Sequence, residues 1–488
     1  MKTKIIATVG PACESAAMIE KMIKAGVNVF RLNFSFGTHE EHRAKFNRIR
    51  KTARKLKTAI AIMQDLQGPK IRVGKLEKPV TVKSGSTLTL TGKSEHVQEY
   101  ELPTTYPGIA DDTAAGKRIL MMDGQIVLKV KRVVPDKKQV ICQVESGGTI
   151  QTGKGINLPY TKIAMPALTE KDRADAVFGA ELGVDYMALS FVRSGKDLRD
   201  LKRLLKKQEK AGIPVIAKLE KPEALDNLEE ILDVADGVMV ARGDLADEIS
   251  FAKVPVAQKR IISRANSKGK LTIVATEMLS SMVHNPLPTR AEVSDVANSI
   301  LDGTDLIMLS NETAVGYNPP NAVKAMRNIA DEAEQIAVTE QYLMDIALNH
   351  NLEVSHAMCL AASMLSHELN EEAVAVITTD GENARILAKY RPECKIFAAT
   401  HVKETYYRMA AFNNVTPLLL DGPQPKKQQD AHKSLEILGK LLIELKVVRP
   451  GQRFICLTGI SADDESWRLN SLHTVEIPRK KQLPEAIN

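Results

Sequence analysis

Residues 214–244 read PVIAKLEKPEALDNLEEILDVADGVMVARGD, and their reading decides the fold. Two short apolar runs, PVIAKLE and GVMVARGD, frame an acidic stretch of helical length. Each run ends in charge: Lys218 and Glu220 close the first, Arg242 and Asp244 the second. Side chains alternate across a strand with period two, so Lys218 and Glu220 project to one face. A connection of helix length makes the two strands parallel neighbours. Two carboxylates and an ammonium then meet at the carboxyl ends of adjacent strands, where a parallel α/β protein builds its active site. A salt-bridged strand edge would use the same charges, but buried strands seldom end in charge without a partner or a task.

The same unit recurs along the chain. KIIATVG (4–10), VNVFRLNFS (27–35) and TAIAIMQDLQG (58–68) precede it. VDYMALSF (184–191), LTIVATEM (271–278) and TDLIMLSNET (304–313) complete the set, with helical stretches between them. Eight β-α repeats with polar strand ends predict a (β/α)8 TIM barrel, preferred over an open doubly wound sheet. Between residues 71 and 160 the series breaks into KPVTVKSGSTLTL, KRILMMDGQIVLKVKRVV and KKQVICQVESGGTI. Period-two alternation with frequent turns predicts an inserted β-barrel lid there. AVAVITT, KIFAAT, VTPLLL, RFICLTG and SLHTVEI, alternating largely with helices, predict a second α/β domain. The expected division is 1–70 and 161–338 for the barrel, 71–160 for the lid, 339–478 for the carboxyl-terminal domain and 479–488 for a polar tail.

Composition narrows the function. The 488 residues are 44% hydrophobic and carry a formal charge of +7 with no long Lys/Arg tract. That mild positive balance suits anionic metabolites and lacks the concentrated patch of a nucleic-acid binder. Five scattered cysteines, Cys13, Cys142, Cys359, Cys394 and Cys456, with no C-x-x-C, predict reduced thiols in a cytoplasmic protein. The opening MKTKIIATVGPACES lacks a secretory pattern, and no run of about 18 apolar residues predicts a membrane span.

The proposed strand ends collect chemistry. They supply Arg31, Asn33 and Ser35; Asp65, Lys70 and Arg72; Lys218 and Glu220; Arg242 and Asp244; Thr276 and Glu277; Ser310 and Glu312. A carboxylate pair with no neighbouring His or Cys is a hard-oxygen site for Mg²⁺ or Mn²⁺. Cations around it suit phosphoryl transfer, where charge spread over equatorial oxygens needs stabilising. GTIQTGKG (148–155) approximates a Walker loop with Gly148, Gly153 and Lys154. Gly155 replaces the metal-binding hydroxyl and INLP starts no helix, so that reading is rejected, leaving Lys154 free to touch phosphate from the lid. The basic run HEEHRAKFNRIRKTARKLK predicts a solvated helix face with His39 and His42 on the surface. Met278 and Met282 read as core filler.

In this order the residues resemble the pyruvate kinase family. KIIATVGPAC, FRLNFSFG, DLQGPKIRVG, GKGINLP, AKLE, MVARGDL, ATEMLSSM, PTRAEVSDVANSILDGTD and MLSNETAVG carry the resemblance, which runs on to HTVEI. It implies transfer of the phosphoryl group of phosphoenolpyruvate to ADP, giving ATP and pyruvate, the last step of glycolysis. Glu220 and Asp244 would hold Mg²⁺, and Lys218 would stabilise the transferring phosphoryl group and the enolate. Arg31 would grip the substrate phosphate, and the backbone N–H groups near Gly243 and Asp244 its carboxylate. Thr276 would position the proton donor. Asn33, Arg72 and Lys154 would bind nucleotide, and Asp123 would approach as the lid closes. The family is typically a homotetramer under allosteric control.

The chain departs from the family in places. Relatives that need K⁺ hold it at positions matching Asn33, Ser35 and Asp65, with a Thr where Leu66 stands and a Glu where Lys70 stands. The combination resembles the K⁺-independent branch, with the Lys70 ammonium replacing K⁺. Phe36 replaces a His that contacts nucleotide, and Ala246, Asp247 and Asn311 are also unusual. The loop TTDGEN puts Asp380 and Glu382 where relatives cradle an effector phosphate, and GISADDESWRLN (459–470) is acidic as well. Like charges oppose a phosphate there, so weak or absent sugar-phosphate control is expected. Two rival readings differ in their needs. A metal-dependent aldolase or lyase acting on pyruvate enolate would share Glu220 and Asp244 without needing Arg72 or Lys154. A retired, non-catalytic barrel would have lost Lys218, Glu220 or Asp244, and all three are present.

Overall fold

The computed structural model describes residues 1–93, 101–122, 124–336, 353–422, 428–459 and 469–477. The chain opens with β1 (Lys4–Thr8), β2 (Val27–Asn33) and β3 (Ala61–Asp65). The insertion follows with β4 (Val80–Val82), β5 (Thr87–Thr91), β6 (Glu101–Pro103), β7 (Arg118–Met121), β8 (Ile126–Val134), β9 (Gln139–Ser146), β10 (Gly148–Ile150) and β11 (Ile156–Asn157). The parallel series resumes in β12 (Tyr186–Leu189), β13 (Val215–Leu219), β14 (Gly237–Ala241), β15 (Leu271–Ala275) and β16 (Leu306–Leu309). Strands β1 to β3 and β12 to β16 close into a barrel in the order β1-β16-β15-β14-β13-β12-β3-β2. The closed barrel displaces the open-sheet alternative. β1, β3, β14 and β15 are buried at every position, as strands covered on both faces must be.

Two runs stop earlier than their sequence suggests. GVMVARGD leaves the sheet after Ala241, and the helix Arg242–Ile249 starts at once. TDLIMLSNET leaves it after Leu309, and a short helix spans Asn311–Ala314. Asp244 and Glu312 therefore sit in first helical turns, where carboxylates face the positive end of the helix dipole.

The described residues form two compact units. One holds Asp65–Glu181 and Ala188–Ile261; the other holds Met1–Gln64, Leu182–Met187 and Ile262–Asn488. In the first unit, the insertion folds into a six-stranded sheet, β11-β7-β8-β9-β5-β6, beside the pair β10-β4. The alternating burial of β9 puts Val140, Cys142 and Val144 into a core with Leu88, Leu90 and Leu128.

In the second unit the carboxyl-terminal sheet contains β17 (Ala373–Ile377), β18 (Lys395–Thr400), β19 (Val415–Leu419), β20 (Arg453–Gly459) and β21 (Leu469–Glu476). Its order is β19-β18-β17-β20-β21, parallel except for the last pair. This domain is tied to the amino-terminal ends of barrel strands. Lys4 Nζ donates to Val415 O at 2.7 Å, and Tyr186 Oη to Arg408 O at 2.9 Å. Asp305, just before β16, accepts from Lys389 Nζ, from Arg391 Nη2 at 2.9 Å, and from Thr272 N at 2.9 Å. The Lys389 and Asp305 side chains are each 1% exposed.

The basic helix His39–Lys55 departs from its expectation. His42 is buried and stacks on Phe34 at 3.9 Å between ring centroids. Arg50 is also buried, paired with Asp185 and lying over the Tyr407 ring at 4.1 Å. Charge alone hid the apolar seam Phe46–Ile49–Ala53 on the same helix. Met278 and Met282 are core residues. The five cysteines are free, and all but Cys394 are buried. Burial pushes the Cys13 thiol up to about 11 and the Cys142 thiol up to about 12, and raises Cys359 and Cys456 further. Among the described residues no helix is long and apolar enough to cross a membrane.

Candidate active site

Lys218 lies near the end of β13, and the pleat aims it along the same face as Glu220. Its Nζ donates to Ser190 Oγ at 2.6 Å and lies 3.1 Å from Glu220 Oε1 and 3.3 Å from Asp65 Oδ1. The Lys218 side chain is 11% exposed, and those of Asp65 and Glu220 1%. One ammonium thus joins the ends of three barrel strands, β3, β12 and β13. Glu220 is fixed a second time, by the backbone N–H of Phe191 at 2.7 Å. Phe191 adopts φ +55°, an uncommon conformation for a bulky residue, and such strain gathers at functional sites. Burial pushes the Glu220 carboxyl up, and Lys218 pulls it back.

Asp244 receives Lys70 instead. Lys70 Nζ donates to Asp244 Oδ1 at 2.7 Å, with both side chains about a quarter exposed (25% and 23%). Burial alone would raise the Asp244 carboxyl; the Lys70 charge and hydrogen bond outweigh it and hold the group below its usual range. Lys221, next along from Glu220, bonds Glu248 at 2.6 Å, and both are buried. Burial pushes Glu248 up to about 7 against the pull of Lys221, and its Oε2 has no hydrogen-bond partner among the described residues. A pocket lined by Lys70, Asn157, Phe191, Arg193, Lys221 and Glu248 adjoins these pairs.

The insertion's stem carries the other expected cations. Arg72 Nη1 donates to Gly153 O at 2.9 Å, and Lys154 is exposed while its carbonyl accepts from Val73 N at 2.8 Å. Asp123 lies outside the described residues. Gly243 and Asp244 occupy the first turn of the helix Arg242–Ile249.

The remaining expected residues belong to the other compact unit. Arg31 Nη1 donates to Thr8 Oγ1 at 3.0 Å, and Asn33 Oδ1 accepts from Ser35 N at 3.1 Å. Thr276 follows β15 at φ +71°, costly for a β-branched residue, and its Oγ1 bonds Ala275 O at 2.5 Å. Glu312 accepts from Ser310 N at 2.7 Å and Leu279 N at 3.1 Å, a structural brace between two loops. Phe36 is 66% exposed.

Sequence reading missed Ser190, the Phe191 N–H, Lys221 and Glu248. Ser190 was accessible to the same logic, since it follows β12 as Glu220 follows β13. The Lys221–Glu248 pair had no signal, because it spans 27 residues and two elements.

A divalent ion fits the acidic pair. Among the described residues no group of three or more His, Cys, Asp or Glu side chains could hold a metal. Mg²⁺ suits such sparse sites, because it takes one or two carboxylates and completes its shell with water and substrate oxygen. Glu220 and Asp244 provide oxygen donors alone.

A (β/α)8 barrel with lysines and carboxylates packed at its strand ends, carrying a β-rich insertion, defines a barrel enzyme. The family profile for the pyruvate kinase barrel domain matches residues 1–323, and that for the pyruvate kinase alpha/beta domain matches residues 356–473. A pyruvate kinase of Staphylococcus saprophyticus is 39% identical over 476 residues, covering 97% of this chain and 80% of the relative. One from Staphylococcus aureus strain MRSA252 is 42% identical over 431 residues, covering 88% and 73%. The chain belongs to the pyruvate kinase family and is a phosphotransferase.

Proposed function

We propose that this chain transfers the phosphoryl group of phosphoenolpyruvate to ADP, giving ATP and pyruvate. The observation that carries the reading is the Lys218 ammonium clasped by Asp65, Glu220 and Ser190. Such a fixed cation suits a reaction whose charge passes from phosphate to enolate. A divalent ion, Mg²⁺ or Mn²⁺, bound by Glu220 and Asp244 would supply Lewis acidity to substrate oxygens.

The chain's own residues divide the remaining work. Arg31 grips the substrate phosphate, and the N–H groups of Gly243 and Asp244 receive its carboxylate. Lys218 stabilises the phosphoryl group in flight and then the enolate oxygen. Thr276 positions the donor that protonates the enolate carbon. Asn33, Arg72 and Lys154 bind nucleotide, and the insertion, with Asp123, closes to exclude water. The working division is a barrel of residues 1–70 and 161–338, a lid of 71–160 and a carboxyl-terminal domain of 339–478. The expected assembly is a cytoplasmic homotetramer, which light scattering on the purified chain checks.

Lys70 makes K⁺ dispensable in this reading, supplying a covalently tethered positive charge where relatives use Asn33, Ser35 and Asp65 equivalents to bind the ion. A lactate-dehydrogenase-coupled assay with phosphoenolpyruvate, ADP and Mg²⁺ tests both points. Activity is expected without added K⁺, and Lys70→Glu is expected to create a K⁺ requirement. Inactivity in K⁺-free buffer that K⁺ reverses sinks the Lys70 reading; inactivity under all conditions sinks the reaction itself.

A further inference from the structure

Lys70 reaches beyond the role just given to it. Its ammonium sits 2.7 Å from an oxygen of Asp244, one of the two carboxylates that fit the divalent ion. We propose that Lys70 is a built-in counter-ion for the carboxylate Asp244 of the divalent-metal site, and that the metal binds by displacing it from Asp244. The inference rests on the proposed function and adds a regulation of the same site.

Charge and packing both support it. Glu220 and Asp65 already share Lys218, so Asp244 is the carboxylate whose pairing is separately provided. An ammonium held on Asp244 offsets its charge and opposes the approach of a dication to the same oxygen. The pair is a quarter exposed, so exchange needs no unfolding. Lys70 is also placed to report that exchange to the insertion. Its side chain passes over Gly155, where an added Cβ would come within 3.3 Å of Lys70 Cε. Immediately beyond it, Ile71 O accepts from Ile156 N at 2.9 Å and Val73 N donates to Lys154 O at 2.8 Å. The residue that neutralises Asp244 therefore begins the stem on which the insertion hangs, and metal binding loosens one of that stem's anchors.

The test is Mn²⁺ affinity, read by electron paramagnetic resonance on full-length protein without substrates. Lys70→Met is expected to bind Mn²⁺ at least fivefold more tightly than the wild type. Arg72→Met removes a neighbouring cation that bonds Gly153 O rather than Asp244, and is expected to shift affinity less than twofold. Unchanged or weaker binding by Lys70→Met overturns the proposal. Equal tightening by both variants does so too, because it would reduce the effect to general charge. A second measurement uses the unaltered chain: amine-reactive labelling of Lys70, followed by mass spectrometry, should rise at least threefold when Mn²⁺ is added. Constant or falling labelling overturns the proposal even if the variant misfolds. The coupled phosphoryl-transfer assay stands apart from both, so failure of the reaction and failure of the displacement are separately visible.

Discussion

Lys218 is held by three side chains at once, Ser190, Asp65 and Glu220. Its removal does two things at once: it deletes the charge proposed to stabilise the transferring phosphoryl group, and it leaves Asp65 and Glu220 buried without the cation between them. Loss of a preorganised charge of this kind costs on the order of 10²–10³ in kcat. Stranding buried carboxylates costs about 3 kcal/mol of stability. Lys218→Met is therefore expected to lower kcat by roughly a thousandfold and to lower the unfolding midpoint, read by steady-state kinetics and thermal denaturation. A kcat within tenfold of the wild type would falsify the assignment. At this scale the sequence was informative wherever strand periodicity governed. Lys218 and Glu220 share a face because they are two residues apart, and they do meet. Asp244, read as a strand end, sits in a helical turn instead, since nothing in GVMVARGD marks where pairing stops. Its partner Lys70, 174 residues away, follows from tertiary structure alone.

Among elements, the helix Glu382–Lys389 links a loop to the barrel's foot. At its start Asp380 Oδ1 accepts from Glu382 N at 2.9 Å and Thr378 Oγ1 at 3.2 Å, and Gly381 turns at φ +87°. A carboxylate of the chain itself thereby takes up a donor that a bound phosphate would need. Sugar phosphate at millimolar concentration is expected to change the apparent KM for phosphoenolpyruvate less than twofold. A several-fold fall in the wild type that Asp380→Ser abolishes would contradict this. The acidic character of TTDGEN was visible in sequence; that Asp380 is turned inward onto its own helix was not. The companion loop within residues 459–470 lies largely outside the described residues.

Across the molecule, the eight repeats and the β-rich interruption were legible because each obeys a short-range rule, period two or 3.6. What sequence could not supply is how the carboxyl-terminal domain is fastened. Asp305, Lys389, Arg391 and Thr272 come from separate elements and meet only after both domains have folded. Burial would raise the Asp305 carboxyl, but Lys389 and Arg391 outweigh it and hold it below its usual range. The resulting stabilisation is present above an unfolded-state value of about 3.9 and is lost as pH falls through the lower folded value. Lys389→Met leaves Asp305 buried with half its counter-charge. Its expected cost is about 3 kcal/mol at neutral pH, measured by urea denaturation. A change below about 0.5 kcal/mol would mean that the fastening resides elsewhere.

The buried thiols have a practical consequence. At neutral pH a thiol raised to about 11 or 12 is almost wholly protonated, and the protonated form is a poor nucleophile. Four of the five cysteines are also shielded from solvent. A single cysteine engineered on the exposed surface of the insertion would react with a maleimide dye well ahead of them. The natural chain thus offers a quiet background for fluorescence, in which the proposed closure of the insertion could be tested one molecule at a time.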